Sequence, residues 1–351
     1  MYDVDNIFEW KMPEVLNYYT GGWFGFDKEG YPLWLDPFGK ADIKGMLRSA
    51  TKDECRKAKI QALEEAFVHI CGEQSKKLNK KIDQIVVIYD MEDFGWKHLS
   101  WKPGVEAYLE LVRMFEANYP ETLKKIVVVN APRLFPIAYN IVKPFMAEAT
   151  VKKVAILGKN FKDTLLEFID ADQLPVSFGG TRTDPDGDIY CKSQVSQGGE
   201  VPKKFYKTID QSELENLTLG TVKSGSSLQV ECEVTLPNSA IRWSFSTVGD
   251  DLGFGVYKRT KEGKQKVADM EEVIANRRVN CHMVPEDGTI ACKTTGMYIV
   301  RFDNSYSWLK NKKVYYDVEV LEPDIDYPNP SSSQTNIVSM GDGATAGENA
   351  S

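Results

Sequence analysis

"KIVVVNAPRLFPIAYNIVKPFM", residues 125–146, holds the reading that decides the fold. Its first six residues are a short, β-branched apolar run, too short for an independent helix and suited to a buried strand. A helix-length stretch follows with a proline near each end. At 100° per residue, Leu134, Phe135, Ile137, Ala138, Ile141, Val142, Phe145 and Met146 cover roughly half of its circumference. Pro136, Tyr139, Asn140 and Lys143 fill the other half. Two readings fit this pattern: a crossover helix packed on a sheet, or a mobile lid over an apolar cavity. Pro144 removes a backbone donor and weakens the helix near its end. The apolar face of such a lid could also touch a membrane.

The neighbouring sequence repeats the motif. "QIVVIYD" (84–90) and "KVAILG" (153–158) read as further buried parallel strands, and "YPLWLD" (31–36) as a fourth. Between them the apolar period is helical. Residues 53–78 align Ile60, Leu63, Phe67 and Ile70; residues 103–118, opened by Pro103, align Val105, Tyr108, Leu109, Val112 and Phe115. A closing helix is expected over 161–175. Strand and helix in alternation predict an α/β domain with a mostly parallel sheet, over residues 10–188.

After "FGGTRTDPDGD" (178–188) the texture changes. Residues 189–225, rich in Gly, Ser, Lys and Pro, read as a linker. From 226 to 322 short alternating strands follow one another: "SLQVECEVTL", "AIRWSFSTV", "LGFGVYKRT", "GMYIVRFDN" and "KVYYDVEVL". Turns are expected at "PNS", "GDD", "KEGK" and "PEDGT". This spacing predicts an all-β sandwich. Residues 323–351, small and polar, are expected to be a disordered tail.

Bulk properties narrow the function. The 351 residues carry a net charge of -8, so nothing global favours nucleic acid. No run of 18 apolar residues is present to span a membrane. The opening residues contain acids and no apolar run, unlike a signal peptide. Six scattered cysteines without a C-x-x-C suggest free thiols in a reducing compartment, hence a cytoplasmic protein with an unused Asn216-Leu217-Thr218 sequon.

Signs of catalysis are sparse. His69, His98 and His282 are not spaced with Cys, Asp or Glu as metal ligands. There is no G-x-S-x-G elbow and no phosphate-binding G-x-x-x-x-G-K-[ST] loop. "DPDGD" (184–188) reads as a turn. Asp90, Glu92 and Asp93, at the end of a strand, read as caps or solvated acids. "KKLNKK" (76–81) and Lys152-Lys153 read as solvated faces, although such runs can meet anionic headgroups. No enzyme activity and no metal or redox cofactor is expected.

Taken together, "VVIYDMEDFG", "FEANYPETLKKIVVVNAPRLFPIAYNIVKPFM", "VKKVAILG" and "DQLPVSFGGT" resemble the CRAL-TRIO lipid-transfer family over about residues 10–185. "GMYIVRFDNSYSWLKNKKVYYDVEV" is similar to a GOLD domain, a jelly-roll-like β-sandwich. Family members ordinarily carry a helical subdomain before the equivalent of "YDVDNIFEW", which this sequence is expected to lack. The resemblance implies a sheet floor and a gate helix over 133–146. It implies lipid contact for Ile85, Val87, Tyr89 and Tyr108, and for the gate residues Leu134, Phe135, Ile137, Ala138, Ile141, Val142, Phe145 and Met146. It implies a phosphatidylinositol headgroup site at Glu121 and Lys153. The strand Ile85-Val86-Val87-Ile88 has no hydroxyl for phosphatidylcholine, which favours a tocopherol or a squalene-like isoprenoid, with Tyr89, Tyr108 or Tyr139 offering a hydroxyl. The implied partners are one hydrophobic lipid, a transient membrane surface, including the Golgi, and a protein bound through the sandwich. A second reading makes the chain a membrane-traffic adaptor that uses the cavity as a lipid sensor.

Overall fold

A computed structural model describes residues 4–158, 160–206, 217–282 and 285–324. The first domain is built on six strands: β1 (Thr20–Phe26), β2 (Pro32–Asp36), β3 (Ile85–Asp90), β4 (Leu123–Val129), β5 (Val154–Ile156) and β6 (Ser196–Gln197). Their order is β5-β4-β3-β2-β1-β6. Strands β2 to β5 are parallel, while β1 runs antiparallel to both its neighbours. The crossovers are helical: α1 (Ile43–Ser49), α2 (Lys52–Glu64) and α3 (Cys71–Leu78) join β2 to β3. Next, α4 (Lys102–Asn118) joins β3 to β4, and α5 (Phe135–Val142) with α6 (Glu148–Val151) joins β4 to β5. Finally α7 (Phe161–Phe168) follows the sheet.

Local chemistry sets the helix ends. Thr51 and Glu54 form a reciprocal capping box that starts α2. Asn79 ends α3 in the left-handed conformation, φ 47°. The helix expected over 133–146 is shorter: α5 stops at Val142 and a 3-10 turn covers Lys143–Phe145. Pro144 has no N–H with which to continue the α-helical ladder. Likewise the helix expected over 161–175 ends at Phe168, because Ile169 turns extended and buries its side chain.

Strand parity divides the sheet into two unlike faces. Leu33 and Leu35, Val86 and Ile88, Val127 and Val129 point to one side. There they pack with Phe161, Leu165, Ile169, Leu174 and Phe178 in a filled core. The alternate residues Trp34 and Asp36, Ile85, Val87 and Tyr89, and Ile126 point to the other side and border a cavity.

The stretch expected as a linker, 189–225, is largely built into the two domains. Cys191, Val195 and Val201 are buried, β6 pairs with β1, and Thr218–Val222 forms the first sandwich strand, β7. Spaced apolar anchors dock this segment despite its Gly, Ser and Lys content. Residues 207–216 of it, including Asn216, lie outside the described residues, as do 325–351 of the expected tail.

The sandwich continues with β8 (Ser227–Val234), β9 (Ser239–Thr247), β10 (Leu252–Lys258), β11 (Glu271–Val279), β12 (Glu286–Cys292), β13 (Gly296–Asp303) and β14 (Lys312–Leu321). Two antiparallel sheets, β11-β10-β13-β8 and β12-β9-β14-β7, enclose one core. Aromatic rings fill it: Phe245 lies 4.8 Å from Phe254 and 5.1 Å from Phe302. "PEDGT" is not the expected turn, since Glu286–Thr289 opens β12. Gly288 lies opposite Trp243, whose ring would stand 2.4 Å from a Cβ at that site. The glycine is there for cross-strand space. All six cysteines are buried free thiols. No helix of the described residues is long and apolar enough to cross a membrane.

Candidate functional site

The cavity lies on the open face of the sheet. Its main lobe, about 230 Å³, has β2 and β3 as its floor and α1, α2 and α4 as its walls; Val142, Met146 and Thr150 close one side. A second lobe of about 110 Å³ extends under α5 and shares Phe38, Ile43, Tyr89, Tyr108, Ile126, Val142 and Met146 with the first. Nearly all of the lining is apolar.

Ile85, Val87, Tyr89, Tyr108, Val142 and Met146 line the main lobe, and Phe135, Ala138 and Ile141 the second. Three residues of the expected set face elsewhere. Ile137 is buried and Leu134 packs beside it, in a cluster that includes Ala240 and Leu321 of the sandwich. Phe145 lies 4.3 Å beneath the Arg113 guanidinium. Glu121 and Lys153 line neither lobe. Glu121 is exposed on a turn at φ 60°, and the Lys153 ammonium donates to the Leu123 carbonyl.

Two polar groups interrupt this lining. At the rim between α2 and α4, Glu110 pairs with Arg56 at 2.7 Å and with Lys52 at 3.4 Å. The other is a deeper island. Asp36, only 4% exposed, has Oδ2 3.7 Å from the Lys59 ammonium and 3.4 Å from the Trp34 indole nitrogen. Its Oδ1 has no hydrogen-bond partner among the described residues. The Lys59 ammonium donates to the Thr20 carbonyl at 3.3 Å and lies over the rings of Tyr19 and Trp34, at 4.6 and 5.0 Å. A buried carboxylate this loosely paired retains hydrogen-bonding capacity. Nearby, the Tyr89 and Tyr108 side chains both face the cavity. Burial, reinforced by Tyr108 and the Asp36 charge, holds the Tyr89 phenol well above its usual range. Burial pushes Tyr108 up to about 12. Both are neutral hydrogen-bonding groups at any physiological pH.

Sequence reasoning missed Asp36 and Lys59. The α2 residues that line the cavity include Cys55, Lys59 and Ala62, at i, i+4 and i+7. They are offset from the apolar stripe that advertises the helix.

The gate segment is held from two sides. Facing the sandwich, Asn140 Nδ2 donates to the Glu322 carbonyl at 2.8 Å, and Asp324 N donates to the Pro136 carbonyl at 3.1 Å. Lys143 pairs with the nearly buried Asp324 carboxylate at 2.8 Å. Thus the chain leaving β14 runs along α5. Other ties fix the domains together: Arg242 donates to the Leu99 carbonyl at 2.9 Å, and Lys102 pairs with Asp317 at 2.9 Å. Facing α4, Phe145 of the segment stacks on the Arg113 guanidinium. Among the described residues no three His, Cys, Asp or Glu side chains are grouped as metal ligands.

Residues 16–180 match the CRAL/TRIO domain, and domains of this family are generally lipid-binding and lipid-transfer modules. Protein ctg-1 of Caenorhabditis elegans is 29% identical over 326 residues, 90% of this chain and 82% of that protein. Protein real-time of Aedes aegypti is 29% identical over 309 residues, 83% of this chain but 46% of that longer protein. The crystal structure of Sfh5 is similar over 57% of this chain and 66% of its own, at 17% identity and a TM-score of 0.44.

Proposed function

We propose that this chain, whose residues 16–180 match the CRAL/TRIO domain, binds one hydrophobic lipid in the two-lobed cavity and transfers or presents it between membranes. The observation that carries this reading is the asymmetry of the sheet. One face is filled by α7 and its neighbours, while the other borders an apolar space closed by the gate segment. Exposing lipid chains is costly: at about 0.8 kcal/mol per CH₂, two chains of ~16 carbons amount to roughly 25 kcal/mol. A carrier must therefore surround its cargo, and a chain-lined cavity with a movable wall does so.

The polar island favours cargo with a small, uncharged, hydroxyl-bearing end, as in a tocopherol. Such a hydroxyl can donate to Asp36 and accept from Lys59. A phosphate there would meet the Asp36 carboxylate. Phosphatidylinositol would instead depend on Glu121 and Lys153, and a squalene-like isoprenoid would leave the island unused. We read the sandwich as GOLD-type, the protein as a non-enzymatic carrier, and its setting as cytoplasmic with transient contact at membranes such as the Golgi. The grip of the sandwich on α5 supports a second reading, a membrane-traffic adaptor in which cargo in the cavity is sensed and reported to a protein partner.

Mass spectrometry of lipids extracted from the purified protein after incubation with total-cell lipids tests the proposal. One hydroxyl-bearing neutral lipid per chain is expected. Phosphatidylinositol would move the headgroup site to Glu121 and Lys153. A folded protein with nothing bound would sink the carrier reading and leave the adaptor.

A further inference from the structure

The loop between β13 and β14 presents two adjacent large apolar side chains to solvent, Trp308 at 91% and Leu309 at 97% exposure. Its backbone is firmly braced. Asn304, wholly buried, directs its amide to the carbonyls of Val222, Lys223 and Lys310, at 3.3, 3.3 and 2.8 Å. Gly225 N donates to the Ser307 carbonyl at 2.7 Å, and Ser224 N to Asn311 Oδ1 at 2.9 Å. The Tyr306 ring is held between Arg278 and Lys312, at 4.3 and 4.5 Å. A loop fixed this way has its tip residues outward by construction, not by disorder.

The charge around the tip is positive. Lys223 and Lys313 are exposed beside it. The carboxylates nearby are already engaged: Asp250 by Lys310, Asp251 by Lys312 and Arg278. We propose that this knob is a membrane-docking site, in which Leu309 enters the acyl boundary, the Trp308 ring lies at headgroup level and the lysines meet anionic headgroups. A Trp–Leu pair on a convex tip ringed by lysine suits a bilayer surface, where aromatic rings favour the interface and each nearby lysine adds electrostatic attraction. A protein partner would call for a pocket or a flat apolar patch around the anchor. The knob precedes β14 and α5 packs where β14 ends, so about 30 Å of strand separates them. Docking therefore leaves the gate free to move.

The inference draws on the carrier reading only for its choice of partner, and its primary readout, vesicle flotation, needs no cargo. The full chain is floated with vesicles of phosphatidylcholine, with and without phosphatidylserine. Wild type should bind the phosphatidylserine vesicles, less so in high salt. Trp308→Ala/Leu309→Ala should bind at least about tenfold more weakly while keeping its Tm and its extracted lipid. Lys223→Glu/Lys313→Glu should lose the preference for phosphatidylserine. Equal binding by wild type and the double alanine variant, or no vesicle binding by wild type, overturns the proposal. So does a self-association that the alanines abolish, which would make the knob a contact between copies. Loss of flotation with lipid extraction unchanged separates this site from the cavity.

Discussion

Between the two sheets of the sandwich, Trp243, Phe245, Phe254 and Phe302 pack ring against ring, with centroids 4.8 to 6.0 Å apart. Across the first domain, Ile85, Val87 and Tyr89 of β3 border a cavity. Both regions are sheets with an apolar face to bury, and they differ in what covers it. Unfilled volume costs on the order of 24 cal/mol per Å³, so a 230 Å³ lobe forgoes roughly 5 kcal/mol of packing. The comparison teaches that a sheet face covered by side chains is buried by the fold itself, whereas a face bordering empty space leaves packing unmade unless something fills it or braces its wall. The brace is the sandwich itself, through Glu322 and Asp324 on α5.

Truncating a ring of the solid core is the harshest test of this contrast. Phe302→Ala should cost about 3–5 kcal/mol in denaturant unfolding, because its surroundings cannot collapse. Val87→Ala, facing space already empty, should cost ~1 kcal/mol or less in the cargo-free protein. Comparable losses at the two sites would erase the distinction between full and hollow.

Filling the space should act the other way. Val87→Phe places a ring into the main lobe and should stabilise the cargo-free protein by about 1–2 kcal/mol. It should also abolish lipid uptake, since ring and cargo compete for one volume. A Tm that falls, or lipid that still binds one to one, would show that the lobe is not where cargo lies.

Loosening the brace is milder. Lys143→Met breaks the pair with Asp324, and its effect on stability should be ~1 kcal/mol, the Lys143 side chain being partly exposed. Exchange of a fluorescent lipid between vesicles should nonetheless quicken several-fold, because α5 loses a tether to the sandwich. Unchanged exchange would make the pair a domain contact without influence on the gate.

What the sequence disclosed follows the same line between full and hollow. The runs at 84–90 and 125–130 were legible because strands buried on both faces are continuously β-branched. Strand β1, "TGGWFGF", was not: its glycines make room for partners that only the fold supplies, as where Trp34 covers Gly21. β11 escaped notice because it is a charged, exposed edge strand, and β12 because Gly288 imitates a turn. In the cavity, Ile85, Val87 and Tyr89 were legible along with most of α5. Asp36 and Lys59 were not. A buried ion pair is made by two distant elements meeting, and each residue alone looks like a strand end or a solvated helix face.

The finest probe of the coupling is a proton. His98 lines the gate-side lobe, stacked on Phe94 at 4.7 Å and receiving the Gly95 N–H at 3.0 Å. The next residue's carbonyl, on Leu99, receives Arg242 of the sandwich. Burial, with a contribution from Lys97, lowers the His98 pKa below its ordinary 6.5 and holds the ring neutral. Unfolding returns it to the ordinary value, so below that pH the unfolded chain binds more protons than the folded one. The stability from keeping the ring neutral is therefore complete above pH 6.5, and it drains as pH falls toward the depressed value. The Tm of wild type should decline through this mildly acidic window, before the carboxylates titrate, and lipid release should rise with it. His98→Gln should flatten both slopes while leaving behaviour at neutral pH nearly intact. If the variant keeps the wild-type slopes, protonation is felt elsewhere, and the corner joining lobe, gate and sandwich is not the point where acid enters.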